Sequence, residues 1–266
     1  MRIRIPPYHF PSVPFCAVLL LVLATSSLAD EPASGVEPVG LELDWGEMRL
    51  LPSAVDLTIT RKPAGKAIEI PRLNNRIGAV YRQGDAKKKP LNLKPLVKTW
   101  SVQLPPDAEA GTVIIVETKE PPQLPENAQP ITPNEQGDVV LPAHAAVTHG
   151  KLLRFEPQPH KNTVGYWANV DDWCEWNFKI DRPGRFTVHV LQGCGKGHGG
   201  SEVDIVVGDA KVSCVVEDTG HFQNFKPRNI GEIEIKTAGE HSLQIRAKQK
   251  PGVAVMDVRE VRLQRQ

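Results

Sequence analysis

Short apolar runs recur along this chain at intervals of about ten residues, and turn residues separate them. In the first half the runs are Leu41 to Leu43, Met48 to Leu51, Val55 to Ile59, Ala67 to Ile70, Ile77 to Tyr81, Trp100 to Leu104 and Thr112 to Val116. In the second half the alternation is cleaner. Trp176, Phe178 and Ile180 share one phase, as do Phe186, Val188 and Val190, and Val203, Ile205 and Val207. Ile233 with Ile235 and Leu243 with Ile245 continue the pattern. Period-two spacing puts apolar side chains on one face of a strand and polar ones on the other. No stretch sustains apolar residues at i, i+3 and i+4, so no helix of any length is predicted. The expected class is all-β: two β-sandwich domains, the second a jelly roll, preceded by a signal peptide.

The domain boundary is placed at residues 120–138. Glu120-Pro121-Pro122-Gln123-Leu124-Pro125 and Gln129-Pro130-Ile131-Thr132-Pro133 read as a proline-rich, extended linker between a domain at 39–119 and a domain at 139–266. The connection Arg182-Pro183-Gly184 fits either a hairpin or the crossing of a jelly roll from one sheet to the other. The final strand changes phase, since Met256 and Val258 disagree with Val261 and Leu263, and a β-bulge near Arg259 reconciles them.

Arg2 and Arg4, the apolar run Phe15 to Ala24 and the small residues of Ser27-Leu28-Ala29 make an export signal over 1–29, with a mature chain from Asp30. A secreted or periplasmic location is expected. The 24 prolines and 21 glycines punctuate strands. A net charge of +1 with interleaved signs argues against nucleic acid and anionic membranes as partners. Beyond the leader lie Cys174, Cys194 and Cys214; Cys174 and Cys194 have inward parity and are the one candidate disulfide pair.

The chemistry-bearing motifs are few. Gly195-Lys196-Gly197-His198-Gly199-Gly200-Ser201 has a phosphate-loop look, but a strand and not a helix follows it, so it reads as an inter-strand loop. Asp171 and Asp172 are adjacent, point to opposite sides of an extended segment and make no catalytic pair, which requires carboxyls roughly 5 to 9.5 Å apart across a cleft. There is no GxSxG elbow, no zinc spacing and no cofactor motif. Aromatics cluster between Phe155 and Phe178. Trp176 and Phe178 are core by phase. Tyr166 and Trp167 fall outside any alternation, either as a lid on the core or as a flat platform for a ligand. Sugar rings offer apolar C–H faces to such a platform, and neighbouring polar groups bond the hydroxyls. His221, Phe222, Asn224 and Asp257 lie in loops that a jelly roll brings toward Tyr166 and Trp167, which completes the candidate carbohydrate site.

Lys62-Pro63-Ala64-Gly65-Lys66, Leu73-Asn74-Asn75-Arg76-Ile77, Ala79-Val80-Tyr81 and Gly84-Asp85-Ala86-Lys87-Lys88-Lys89-Pro90-Leu91 resemble the C-terminal β-sandwich of family 29 α-L-fucosidases. In that family the reaction belongs to a preceding barrel, for which the roughly thirty residues before this sandwich leave no room. Nothing catalytic carries over. Gly165-Tyr166-Trp167-Ala168-Asn169-Val170-Asp171-Asp172-Trp173, with Leu191 to Gly197, Val216 to Phe225 and Pro251 to Leu263, is similar to the galactose-binding-type jelly roll appended to secreted fucosidases and sulfatases. That jelly roll is similar in turn to family 6 carbohydrate-binding modules. This second resemblance implies a sugar site at Trp167, His221, Phe222 and Asp257. It places Arg259 where an acidic calcium ligand is expected, so no metal is implied. The expected function is non-catalytic carbohydrate binding. The alternative is a structural or protein-interaction adaptor for a separate hydrolase or sulfatase. The expected partner is a glycan containing fucose or galactose.

Overall fold

A computed structural model describes residues 39–266. The expected export signal lies outside the described residues. Apart from two 3₁₀ turns at Pro125–Asn127 and Ala143–Ala145, every regular element described is a strand.

The first eight strands are β1 (Val39–Leu43), β2 (Gly46–Leu51), β3 (Ala54–Ile59), β4 (Ala67–Pro71), β5 (Ile77–Arg82), β6 (Leu93–Pro95), β7 (Thr99–Gln103) and β8 (Val113–Thr118). They form an antiparallel sheet in the order β1-β2-β3-β8-β5 and a smaller one in the order β4-β7-β6. The alternation read from the sequence decides which residues turn inward. Val55, Leu57 and Ile59 of β3 are fully buried, and so are Trp100 and Val102 of β7.

The remaining strands are β9 (Val139–Pro142), β10 (Val147–His149), β11 (Arg154–Glu156), β12 (Thr163–Gly165), β13 (Trp173–Ile180), β14 (Gly184–Cys194), β15 (Glu202–Val207), β16 (Ala210–Val215), β17 (His221–Ile235), β18 (Gly239–Gln249) and β19 (Asp257–Arg265). One sheet runs β10-β13-β18-β15-β16 and the other β11-β12-β19-β14-β17, with β9 also paired to β19. Consecutive strands β13 and β14 lie in different sheets, so Arg182-Pro183-Gly184 carries the chain across the sandwich, as in a jelly roll. Trp176, Phe178, Phe186, Val188, Ile245 and Leu263 are all fully buried. Each side chain of this size contributes about 1.5–3 kcal/mol by leaving water. The expected bulge is present in β19. Leu191 pairs with Glu260 and Gln192 with Val258, which leaves Arg259 as the extra residue.

The paired-cysteine expectation is corrected. Cys174, Cys194 and Cys214 are all free. Cys174 sits between Thr148 and Ile245 in one sheet. Cys194 ends β14 in the other, with its sulfur toward the carbonyls of Gly195 and Val255. A shared inward parity gives the two thiols a common core without bringing them together.

The proline-rich stretch is fastened on both sides. The Asn75 amide donates to the carbonyls of Glu120 (3.2 Å) and Pro121 (2.9 Å) and accepts from the Gln123 N–H (2.7 Å). Ile131 bridges to β13, donating to the Asn177 carbonyl (3.0 Å) and accepting from the Lys179 N–H (2.8 Å). Across the same junction the buried Arg72 guanidinium donates to the carbonyls of His144 (2.9 Å) and Ala146 (2.7 Å) and lies 5.3 Å from the Phe155 ring centre. With no carboxylate beside it, burial pulls Arg72 down to about 10.

Candidate functional site

The site is built at one end of the sheet that contains β12, β19 and β14. Asp257 opens β19 and pairs with Gly193 of β14. On its other side Val164, the residue before Gly165, pairs with Val258. Both flanking positions are glycines because close neighbours occupy the space of a side chain. A Cβ on Gly193 would lie 1.9 Å from the Phe222 carbonyl oxygen, because the irregular stretch of β17 between His221 and Lys226 presses against β14 there. A Cβ on Gly165 would lie 2.8 Å from Asp257 Oδ1 and 3.0 Å from Glu156 Oε2. Two carboxyl groups therefore converge on one point beside the backbone of Gly165.

Tyr166 follows with a left-handed backbone, φ +58°. A non-glycine residue costs roughly 1–2 kcal/mol in that region. The consequence of the turn is directional. Trp167 enters the core, fully buried, with its indole N–H donating to the Asp172 carbonyl (2.9 Å) and its own carbonyl accepting from the Val255 N–H (2.9 Å). Tyr166 is thrown outward and is 51% exposed. It is the only exposed Phe, Tyr or Trp among the described residues. The Arg154 guanidinium covers one face of its ring at 3.8 Å.

The assignment of Trp167 to a ligand platform is thereby corrected: it is the loop's anchor and presents no face to solvent. Asp172 reinforces the same anchor. Its carboxylate, 1% exposed, accepts from the N–H groups of Lys151 (2.9 Å), Leu152 (2.8 Å) and Leu153 (2.8 Å) and from the Asn169 amide (2.9 Å). Burial pushes this carboxyl up, but the four hydrogen bonds outweigh it and hold it below its ordinary value.

Of the other expected site residues, Asp257 stands next to the Tyr166 loop and is 4% exposed. His221, Phe222 and Asn224 lie on the strand that presses against Gly193, but their side chains serve their own turn. His221 Nδ1 accepts from the Gln223 N–H (3.0 Å), and the Asn224 amide donates to the Thr219 carbonyl. Phe222 stacks on His198 with ring centres 5.8 Å apart. The same strand instead sends Gln223 to Asp257 (3.4 Å) and Phe225 against Arg259, whose guanidinium lies 3.7 Å from its ring centre.

Four members were not singled out from the sequence: Arg154, Glu156, Gln223 and Phe225. Alternation about the buried Phe155 puts Arg154 and Glu156 on one face, and that signal was there to read. Gln223 and Phe225 depend on the register irregularity between β17 and β14, which no local pattern announces.

The charges are sorted unequally. Lys161 Nζ lies 2.8 Å from Glu156 Oε1. Arg259 donates to the backbone carbonyls of Lys161 (2.6 Å) and His160 (3.2 Å). Asp257 has only the neutral Gln223 amide. Burial first, and then the nearby Glu156 charge, push the Asp257 carboxyl up to about 7. The glycine loop Gly195 to Ser201 leads into β15, and Asp218 already accepts its Gly197 N–H, so a carboxylate of the protein itself occupies the place of an anion there. Among the described residues no three His, Cys, Asp or Glu side chains gather as metal ligands do.

No curated protein matches this chain. Residues 156–266 match the family described as a domain of unknown function, DUF5077. Among solved structures the chain is similar to the α-L-fucosidase from Vibrio sp. strain EJY3, with 19% identity and a TM-score of 0.34 over 84% of this chain and 40% of that one. It thus spans well under half the fucosidase's length. It is also similar to the C-terminal family 6 carbohydrate-binding module of LamC from Zobellia galactanivorans, with 14% identity and a TM-score of 0.40 over 48% of this chain and 99% of that module. The family 35 carbohydrate-binding module of Abf62 from Cellvibrio japonicus gives 11% identity and a TM-score of 0.39 over 47% of this chain and 91% of that module.

Proposed function

We propose that this protein is exported and binds glycan non-catalytically, through the Tyr166–Asp257 end of its second sandwich. The observation that carries this reading is Tyr166. It is the one exposed Phe, Tyr or Trp among the described residues, set out by a costly backbone conformation, backed by Arg154 and placed beside two buried carboxyl groups. An aromatic plane next to convergent polar atoms suits a sugar ring, whose C–H face stacks while its hydroxyls bond. One sugar face buries on the order of 100 Å², worth about 2.5 kcal/mol before costs. Affinity for a single sugar is therefore weak, roughly millimolar. Fucose and galactose are the candidate sugars.

The convergence of Glu156 and Asp257 does not favour hydrolysis. Both are at most 5% exposed beside Gly165, whereas an acid and nucleophile pair must flank a scissile glycosidic bond across an open cleft. Amide NMR titration of the full mature chain with L-fucose, D-galactose and sulfated fucan tests the proposal. Shifts centred on Gly165 to Ala168 and Asp257, lost in Tyr166→Ala, are expected. The absence of shifts there with every sugar would favour the adaptor reading. Turnover of aryl glycosides abolished by Glu156→Gln would overturn the non-catalytic one.

A further inference from the structure

We propose that Asp257 enters the ligand site as a neutral carboxylic acid, donating its O–H to a sugar oxygen beside an ionised Glu156, so that glycan binding is linked to one proton. This rests on the glycan reading above and names the chemistry of its central group.

The argument begins with convergence. Asp257 and Glu156 are 4% and 5% exposed, and their nearest oxygens lie within 3.0 Å of one point beside Gly165. Two buried carboxylates so placed do not both ionise readily, and one retains a proton. Their surroundings decide which. From the turn between β11 and β12, Lys161 pairs with Glu156 at 2.8 Å. From β19, Arg259 is spent on Phe225 and the carbonyls of His160 and Lys161, not on Asp257. From β11, Arg154 is committed to the Tyr166 ring. From β17, the group facing Asp257 is the neutral Gln223 amide at 3.4 Å. Of the two acids, Asp257 is the one with no ion-pair partner; Lys161 and Arg259 act on it only from a distance and pull against the upward push. The upward push on its carboxyl, to about 7, agrees with this sorting.

A neutral acid changes what the site can recognise. An ionised pair offers acceptors only, whereas Asp257 as an acid presents one donor next to the Glu156 acceptors. A sugar hydroxyl or ring oxygen can then be met by a donor and an acceptor from adjacent side chains. The long contact from Gln223 is the one a ligand would displace. In this respect the acid does the work of an asparagine amide, but only while it holds its proton.

The test is the pH dependence of affinity for L-fucose and D-galactose between pH 5 and 9, with the Asp257 carboxyl followed by ¹³C NMR in the same samples. Affinity is expected to fall about tenfold for each pH unit above about 7, with the Asp257 signal titrating in step. Asp257→Asn, whose amide donates at every pH, should remove the slope. Glu156→Gln should move the Asp257 titration downward. Binding with no pH dependence overturns the proposal and leaves the glycan site standing. A slope that persists in Asp257→Asn also overturns it and assigns the proton to another group. Titration of Asp257 near 4 overturns it whatever the affinities do. Absence of binding at every pH removes the glycan site and this proposal together.

Discussion

The guanidinium carbon of Arg154 lies 3.8 Å from the centre of the Tyr166 ring, and the two residues together hold an aromatic plane out in solvent. Such a pair is worth about 0.5–1 kcal/mol at an exposed site, less than the cost of the left-handed backbone at Tyr166. The exposed ring is therefore not explained by its contribution to stability. Tyr166→Ala is expected to leave the unfolding midpoint within the equivalent of about 1 kcal/mol while removing most glycan affinity. Denaturant unfolding and NMR titration of one protein sample check both halves. A loss of several kcal/mol would make Tyr166 a structural residue.

Trp167→Ala should behave in the opposite way. It empties a fully buried indole position and leaves the Asp172 carbonyl without its donor. A destabilisation of about 3–5 kcal/mol is expected, comparable to Trp176→Ala. Urea melts of the two variants, which should have similar midpoints, test this. A Trp167→Ala protein as stable as the wild type would restore that residue to the surface.

Asp257 gives stability a pH dependence of its own. Its folded-state pKa, about 7, lies above the ordinary value of 3.8, so the folded protein holds this proton more tightly than the unfolded chain. The sign follows. Between about pH 4 and 7 the folded state carries one more proton than the unfolded one, and stability falls as pH rises. Below about 4 both are protonated, above about 7 both are ionised, and the dependence flattens. The difference across the window is roughly 4 kcal/mol. Asp257→Asn should abolish this component and be the more stable protein at pH 8. Chemical denaturation of both proteins at pH 4.5, 6 and 8 provides the comparison.

Arg72 couples the two sandwiches through carbonyls that no other side chain serves. Arg72→Ala removes two charge-assisted bonds, each worth about 1.5–3 kcal/mol. It should also loosen the junction enough for one unfolding transition to become two, resolved by calorimetry. A single sharp transition with unchanged midpoint would show that the guanidinium is dispensable.

The three thiols of the described residues, Cys174, Cys194 and Cys214, should all react with a labelling reagent under non-reducing, denaturing conditions. In the folded protein, half-buried Cys214 should react first. Burial pushes the Cys194 thiol up to about 11 and the Cys214 thiol above its ordinary value, which slows thiolate chemistry at neutral pH. Intact mass after alkylation counts them.

Periodicity made the strands legible. Trp176 and Phe178 could be assigned to the core from their phase alone, and the phase slip between Val258 and Val261 located the bulge at Arg259. Tyr166 and Trp167 were harder, because adjacent residues outside a strand carry no alternation. Their opposite fates depend on one positive φ that a tyrosine gives no cause to expect. Asp257 is singled out by the sequence and Glu156 is not, since their meeting is made by Gly165 and a cross-strand register, not by spacing. The disulfide expectation failed for the same kind of reason: parity reports a face, and distance is set by sheet order.

The reversal at Tyr166 separates two tasks that loops commonly mix. Trp167 and Asp172 bear the folding of the segment between β12 and β13, so the neighbouring position is relieved of that duty and behaves as a socket. Histidine, tryptophan or asparagine placed there would be displayed at the same spot, one residue from the glycine that both carboxyls approach. Binding preference could then be retuned one residue at a time on an unchanged frame.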